Sequence, residues 1–201
     1  MTSTPSKQIL LTLTACLSLT SGCSQKQAVI QGRPVAAWVA EVEIGGFPDA
    51  KNPALNVLNS AGPSIMPQLT LLLRDPSAAL QAKAAYAING ICYQHPEAPE
   101  VHAAVPSLKA AAKSKNSELR IYSVQALGAI GKAASSAIPD LTLLTKDANA
   151  SVRMCAVESL GRIGATSPES VAALTAAMSD SSSDVRITAT NALEKVQSEH
   201  K

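Results

Sequence analysis

Aromatic residues are nearly missing from this chain of 201 residues, at 2%: Trp38, Phe47, Tyr86, Tyr93 and Tyr122 are all there are. Ala and Leu carry most of the apolar surface instead, which favours closely packed helices over a β-sandwich. Charge is also sparse, at 16%, against 46% hydrophobic residues, and that balance excludes a disordered chain. No Gly-x-Ser-x-Gly, phosphate-binding loop or Gly-x-Gly-x-x-Gly occurs, so no catalytic nucleophile or nucleotide cradle is visible and no catalytic residue is assigned. No Cys-x-x-Cys occurs either, and His95, His102 and His200 are the only histidines. His95 and His102 lie beside Glu97 and Glu100, but a Pro-rich stretch rarely supplies the rigid second shell that a metal needs; no metal or other cofactor is expected. The glycines are read as helix-end residues that capping explains.

No acidic residue precedes Glu41. Lys7 is followed by an apolar run from Ile9 to Thr20, of signal-peptide length and too short to span a bilayer comfortably. The run ends in Thr20-Ser21-Gly22, directly before Cys23. The segment resembles a bacterial lipoprotein signal on Leu19, Ser21, Gly22 and Cys23, with Thr20 departing from the usual Leu. A second match, Leu13-Thr14-Ala15-Cys16, leaves an apolar core of only Ile9 to Ala15, which is short for a signal, so Cys23 is preferred. The resemblance implies a signal over residues 1–22, lipidation of Cys23 and a tether over 23–31. With Ser24 next, it also implies a place in the cell envelope, on the outer membrane facing the periplasm. A soluble periplasmic or secreted protein is the alternative. Extended, the tether would reach on the order of 30 Å.

Removing Lys7 with the signal leaves 16 basic residues against 15 acidic ones, a balance that does not steer the chain to nucleic acid. Removal and lipidation also use Cys16 and Cys23, leaving Cys92 and Cys155 as partly buried thiols. A bridge between these two is the less favoured alternative.

A period governs the rest. Glu118-Leu119-Arg120 to Ile130-Gly131 matches Ser151-Val152-Arg153 to Ile163-Gly164 at a spacing of 33. Arg120, Arg153 and Arg186 keep that spacing, as do Leu127, Leu160 and Leu193, the small residues Ser123, Ala156 and Ala189, and the pair Asp147 and Asp180. Gln81, Ala84, Ile88 and Ile91 fill the same columns 39 residues earlier, the excess being an inserted loop from Tyr93 to Pro99. Lys51, Ala54, Leu58 and Ala61 fit 30 residues before those. Four repeats and a terminal half-repeat result.

Within a repeat, Val152, Ala156, Leu160 and Ile163 line one helical face. Asn149 or Ser151, Asn116 or Ser117, and Ser182 or Ser183 can cap the helix starts, and Gly131 and Gly164 follow the ends. The other helix opens at a proline, as in Met66-Pro67, Val105-Pro106 and Ile138-Pro139, and ends at an acidic residue or Lys113. From Val171 to Asp180, Ala172 stands in the proline column.

Proline-opened helix, Asp, Val-Arg, small residue, Leu, Ile-Gly: over roughly 52–201 this pattern resembles the HEAT-repeat family, especially the short bacterial repeats of phycobilisome lyases. The expected fold is all-α, a right-handed armadillo/HEAT-like α-solenoid. Gly32 to Val39 resembles the entry helix before such arrays, with residues 32–50 as a cap in which Trp38 covers the first face. Asp147 precedes Arg153 by six and Asp180 precedes Arg186 by six. Because that repeats at the period, Arg120, Arg153, Arg186, Asp147 and Asp180 are expected to form a structural ladder between repeats, in which each Arg needs a carboxylate or helix-end carbonyls. Tyr93 and His95, in the inserted loop, are the candidate partner contact; the alternative is an inert surface loop. The expected function is a non-catalytic scaffold or adaptor that binds another protein, with no nucleic acid and no evident small-molecule substrate. A HEAT-like lyase or enzyme accessory subunit and a self-associating envelope protein are the alternatives.

Overall fold

The structure is a computed structural model describing residues 29–44 and 52–198. The signal, Cys16, Cys23, most of the tether and Lys51 lie outside the described residues. The chain enters through a two-residue antiparallel pairing of β1 (Val29–Ile30) with β2 (Arg33–Pro34), so the last part of the expected tether is folded. Helix α1 (Val35–Ala40) follows and buries Val35 and Val39. Trp38 is half-buried against the core, its indole N–H donating to the Ile30 carbonyl at 3.0 Å and its ring lying 4.2 Å beneath the Arg33 guanidinium.

The rest is a stack of helical hairpins. Helix α2 (Pro53–Ala61) is the half-repeat packed on α1. Four pairs of a short and a long helix succeed it: α3 (Met66–Leu72) with α4 (Ala78–Gln94), α6 (Val105–Ala111) with α7 (Ser117–Ile130), α8 (Ile138–Leu144) with α9 (Ala150–Ile163), and α10 (Pro168–Ala177) with α11 (Ser183–Ser198). A five-residue helix α5 (Pro99–Ala103) precedes α6. Each long helix buries its apolar stripe, for instance Val152, Ala156, Leu160 and Ile163. Asn52, Asn116 and Asn149 accept backbone N–H groups at the starts of α2, α7 and α9, and Ser77 and Ser167 do so for α4 and α10. Neighbouring repeats share one continuous core, as an α-solenoid must.

Three local expectations give way. The stretch from Tyr93 to Pro99 is not a seven-residue loop: α4 runs on through Tyr93 and Gln94, and α5 begins at Pro99. The last short helix opens at Pro168, three residues before Val171, so a proline starts it after all. The reading of every glycine as a helix end holds for Gly131 and Gly164, both at positive φ, and fails for Gly90, Gly128 and Gly161. Those three lie inside helices, where a Cβ would stand 2.8 Å from Asn59 Oδ1, 2.5 Å from Ser159 Oγ and 2.8 Å from Ala192 Cβ respectively.

That close approach shapes the stack. Long helices α4, α7, α9 and α11 pack on one another in turn, whereas the short helices meet each other sparsely. The long helices thus form one continuous layer, and the surface they present is called the inner face.

Candidate functional site

One row of side chains crosses the inner face. The Tyr86 ring on α4 meets the Tyr122 ring on α7 at 4.9 Å, tilted by 58°. Asn89 Nδ2 donates to Gln125 Oε1 at 3.3 Å, and Gln125 Nε2 reaches Cys155 Sγ at 3.5 Å, carrying the row from α4 to α9. On α9, Arg162 donates from Nε and Nη2 to Glu158 Oε1 at 3.1 and 2.8 Å, while its guanidinium sits 5.1 Å over the Tyr93 ring. Arg162 therefore couples α9 to the extra turn of α4, two repeats away. Beyond it lies an open depression of about 500 Å³ whose walls include Met154, Glu158 and Arg162 of α9 and Thr188, Asn191 and Lys195 of α11. Every residue lining it belongs to a long helix, which places it on the face turned away from the short ones.

Tyr93 is 46% exposed and belongs to this face. Burial, ahead of the charges around it, raises its phenol pKa above the usual tyrosine value. His95 does not join it. Its ring lies against Gly62, at the start of the 3-10 turn between α2 and α3 (Gly62–Ile65), with Nε2 3.6 Å from where a Cβ would be. His102, on α5, has Nε2 2.9 Å from the Pro96 carbonyl oxygen. Among the described residues no group of three or more His, Cys, Asp or Glu side chains could hold a metal ion.

The charges that repeat at the period line a different edge, where the long helices begin. Arg120 Nη2 donates to Asp147 Oδ1 at 2.8 Å, and Arg153 donates from Nε and Nη2 to the two carboxylate oxygens of Asp180, both at 2.8 Å. Each arginine thus pairs with the acid 27 residues later, in the next repeat. The residue six positions earlier, an acid in two of the three cases, offers its backbone carbonyl instead: Nη1 of Arg153 donates to Asp147 O at 2.9 Å, Nη1 of Arg186 to Asp180 O at 2.8 Å, and Nη1 of Arg120 to Ser114 O at 2.9 Å. Asp147 and Asp180 also accept the N–H of Asn149 and Ser182, each at 2.8 Å, and so close the turn before the next long helix. The Arg153 bond, first among several causes, holds the Asp180 carboxyl down at about 2. For Asp147, burial raises the pKa, but Arg120 and the Asn149 N–H outweigh it and leave the group below its usual range. None of the five charges lines the depression.

Cys92 and Cys155 are free and buried, with thiols pushed up by burial to about 12 and about 11.

Residues 105–194 match the HEAT-repeat family. This part of the chain is built of HEAT repeats. Solved structures share the wider fold. An engineered protein has 19% identity and a TM-score of 0.60, over 82% of this chain and 79% of its own. A designed armadillo repeat protein in complex with the peptide (KR)4 has 19% identity and a TM-score of 0.59, over 81% and 80%. The complex of CpcE and CpcF of phycocyanin lyase from Nostoc sp. has 16% identity and a TM-score of 0.57, over 92% and 71%. Identities this low show the fold alone. No curated protein matches the sequence.

The row on the inner face escapes a search for repeated letters. Tyr86, Gln125, Glu158 and Asn191 each stand five residues after Gln81, Arg120, Arg153 and Arg186, so their column is as regular as the ladder's. The side chains differ in every repeat, and only the position, not the residue, recurs.

Proposed function

We propose that this HEAT-repeat array is a non-catalytic scaffold that binds another protein, taking an extended segment of it along the inner face of α4, α7, α9 and α11. The observation that carries this reading is the row from Tyr86 and Tyr93 through Gln125 to Arg162 and Asn191: aromatic and hydrogen-bonding side chains on successive long helices, beside an open depression. Such a surface suits a chain that must be gripped at intervals, because rings supply area and amides supply donors and acceptors. The ladder charges are engaged with one another.

The scaffold works at a membrane of the cell envelope, facing the periplasm, held there by lipid on Cys23. The signal-like residues Leu19 to Cys23 support this reading. Among the described residues no helix is long and apolar enough to cross a membrane.

Photo-crosslinking in cells tests the binding face. A photoreactive side chain placed at Tyr93 or Asn191 should join one protein species, and the same group at Leu143, 72% exposed on the short helix α8, should not. Equal crosslinking from both faces would defeat the inner-face assignment. Mass spectrometry of the N-terminus tests the anchor: residues preceding Cys23 in the mature protein would refute lipidation there. The likeness to the phycocyanin lyase subunits makes a chromophore the reading to exclude by absorbance of the purified protein.

A further inference from the structure

From the depression between α9 and α11 we infer that the bound segment carries an acidic side chain, an Asp or Glu whose carboxylate sits between Arg162 and Lys195. The inference rests on the inner-face reading and adds the chemistry of the partner to it.

Three charged residues line the depression: Arg162, Lys195 and Glu158. Two cations against one anion leave it one positive charge in excess. Arg162 and Lys195 are 33 residues apart, so they occupy the same place on successive repeats, at positions held by Gly90 and Ala129 in the two repeats before. At that position a positive charge occurs only in the last two repeats, where the depression lies. Arg162 is also held in place. Glu158 engages Nε and Nη2, Tyr93 supports the guanidinium plane from α4, and a guanidinium has five N–H donors, so donors remain for a second carboxylate. Holding the side chain in advance lowers the entropy lost on binding. Asn191 and Thr188 add uncharged polar groups on the opposite wall, and Met154 adds an adaptable apolar surface that fits the methylenes of an acidic side chain.

An extended segment directs every second side chain to the face on which it lies. Alternating peptides are therefore the probes: fluorescein-labelled (Glu-Leu)4, (Gln-Leu)4 and (Lys-Leu)4, all with amidated C-termini, and (Gln-Leu)4 with a free C-terminus. Fluorescence anisotropy against the full chain should show (Glu-Leu)4 binding most tightly. Arg162→Gln and Lys195→Gln should each weaken it by about tenfold, the scale of one lost charge-assisted contact. Glu158→Gln should strengthen it, because it removes the competing carboxylate. Far-UV circular dichroism shows that these surface variants remain folded, and Lys146→Gln serves as a charge control that should leave binding unchanged. Equal binding of all three amidated peptides would overturn the carboxylate inference while leaving the inner-face reading standing. Tighter binding of (Lys-Leu)4 would overturn it as well. Selective binding of the free-terminus (Gln-Leu)4 would move the ligand group from a side chain to a chain end and refute the inference as stated. Binding by none of the peptides would count against both readings.

Discussion

Gly128 of α7 lies so close to Ser159 of α9 that a Cβ on the glycine would stand 2.5 Å from the serine hydroxyl and 3.0 Å from its Cα. Across the same contact Ser159 Oγ donates to the Val124 carbonyl oxygen at 2.9 Å, in a fully buried position. Gly161 repeats the approach one step on, with Ala192 in the place of the serine. Two adjacent long helices are thus drawn together at a point where neither can hold a larger side chain. The spacing of the inner row depends on it.

Gly128→Ala should therefore destabilise the array, although alanine is the better helix former. Propensity favours the substitution by about 1 kcal/mol, while overpacking a tight contact costs about 1–3 kcal/mol. The neighbour on the other side of the clash includes backbone, which cannot turn away. The urea midpoint should fall, and Ser159→Gly in the same chain should recover part of the loss, giving a non-zero coupling in a double-mutant cycle. A rise in the midpoint of Gly128→Ala would show that the helices are free to separate.

The stacking of the repeats was legible because core and ladder positions recur as the same letters: Leu127, Leu160 and Leu193 fill one kind of hole, and Arg120, Arg153 and Arg186 one kind of turn. Prolines and asparagines marked the helix starts for the local reasons that put them there. Gly128 and Gly131 were not separable, since a letter does not say whether the missing Cβ serves a neighbour or a backbone angle. The extra turn of α4 was hidden by Pro96 and Pro99, which read as loop although the helix stops just before them. The depression was the least legible part. It is built from Glu158, Arg162, Asn191 and Lys195, which share positions but not letters, and only packing shows which polar side chains face one another.

Gly131 separates the second role of glycine from the first. It takes φ 67° and ψ −139°, a region that side chains with a Cβ avoid, yet a Cβ there would have nothing within 4 Å. Gly131→Ala should cost on the order of 1–3 kcal/mol through backbone strain alone. Gly164 takes φ 75° and ψ 47°, ordinary left-handed geometry that asparagine tolerates, so Gly164→Asn should be much milder. Thermal unfolding of the two variants checks the order, and equal losses would contradict the strain argument.

The Arg153–Asp180 pair joins the last two repeats and sets an acid limit on them. Asp180 stands at about 2 when folded against an ordinary value of 3.8, so its contribution is complete above about pH 4 and is lost as the pH falls towards 2. Asp147, also lowered, adds to the same trend. Unfolding midpoints measured through this range should drop steeply for the parent and more gently for Asp180→Asn, which starts less stable at neutral pH. Arg153→Ala should lower the neutral-pH midpoint by several degrees, because it removes the guanidinium that Asp180 and the Asp147 carbonyl share. An unchanged midpoint would make the ladder ornamental.

The two buried thiols report whether the stack opens. Only the thiolate reacts, and with Cys92 at about 12 and Cys155 at about 11 the ionised fraction at pH 8 is about one in ten thousand and about one in a thousand. Both side chains are also closed to reagent, at 0% and 1% exposure. Iodoacetamide applied to the native protein at pH 8 should leave the peptides containing Cys92 and Cys155 unmodified, and denaturant should expose both. Because Cys155 lies between α7 and α9, with Gln125 donating to its sulfur, widening that contact by Gly128→Ala should make Cys155 react before Cys92. Rapid modification of either thiol in the folded parent would contradict the closed core, and equal protection in the variant would show that the strain is absorbed elsewhere.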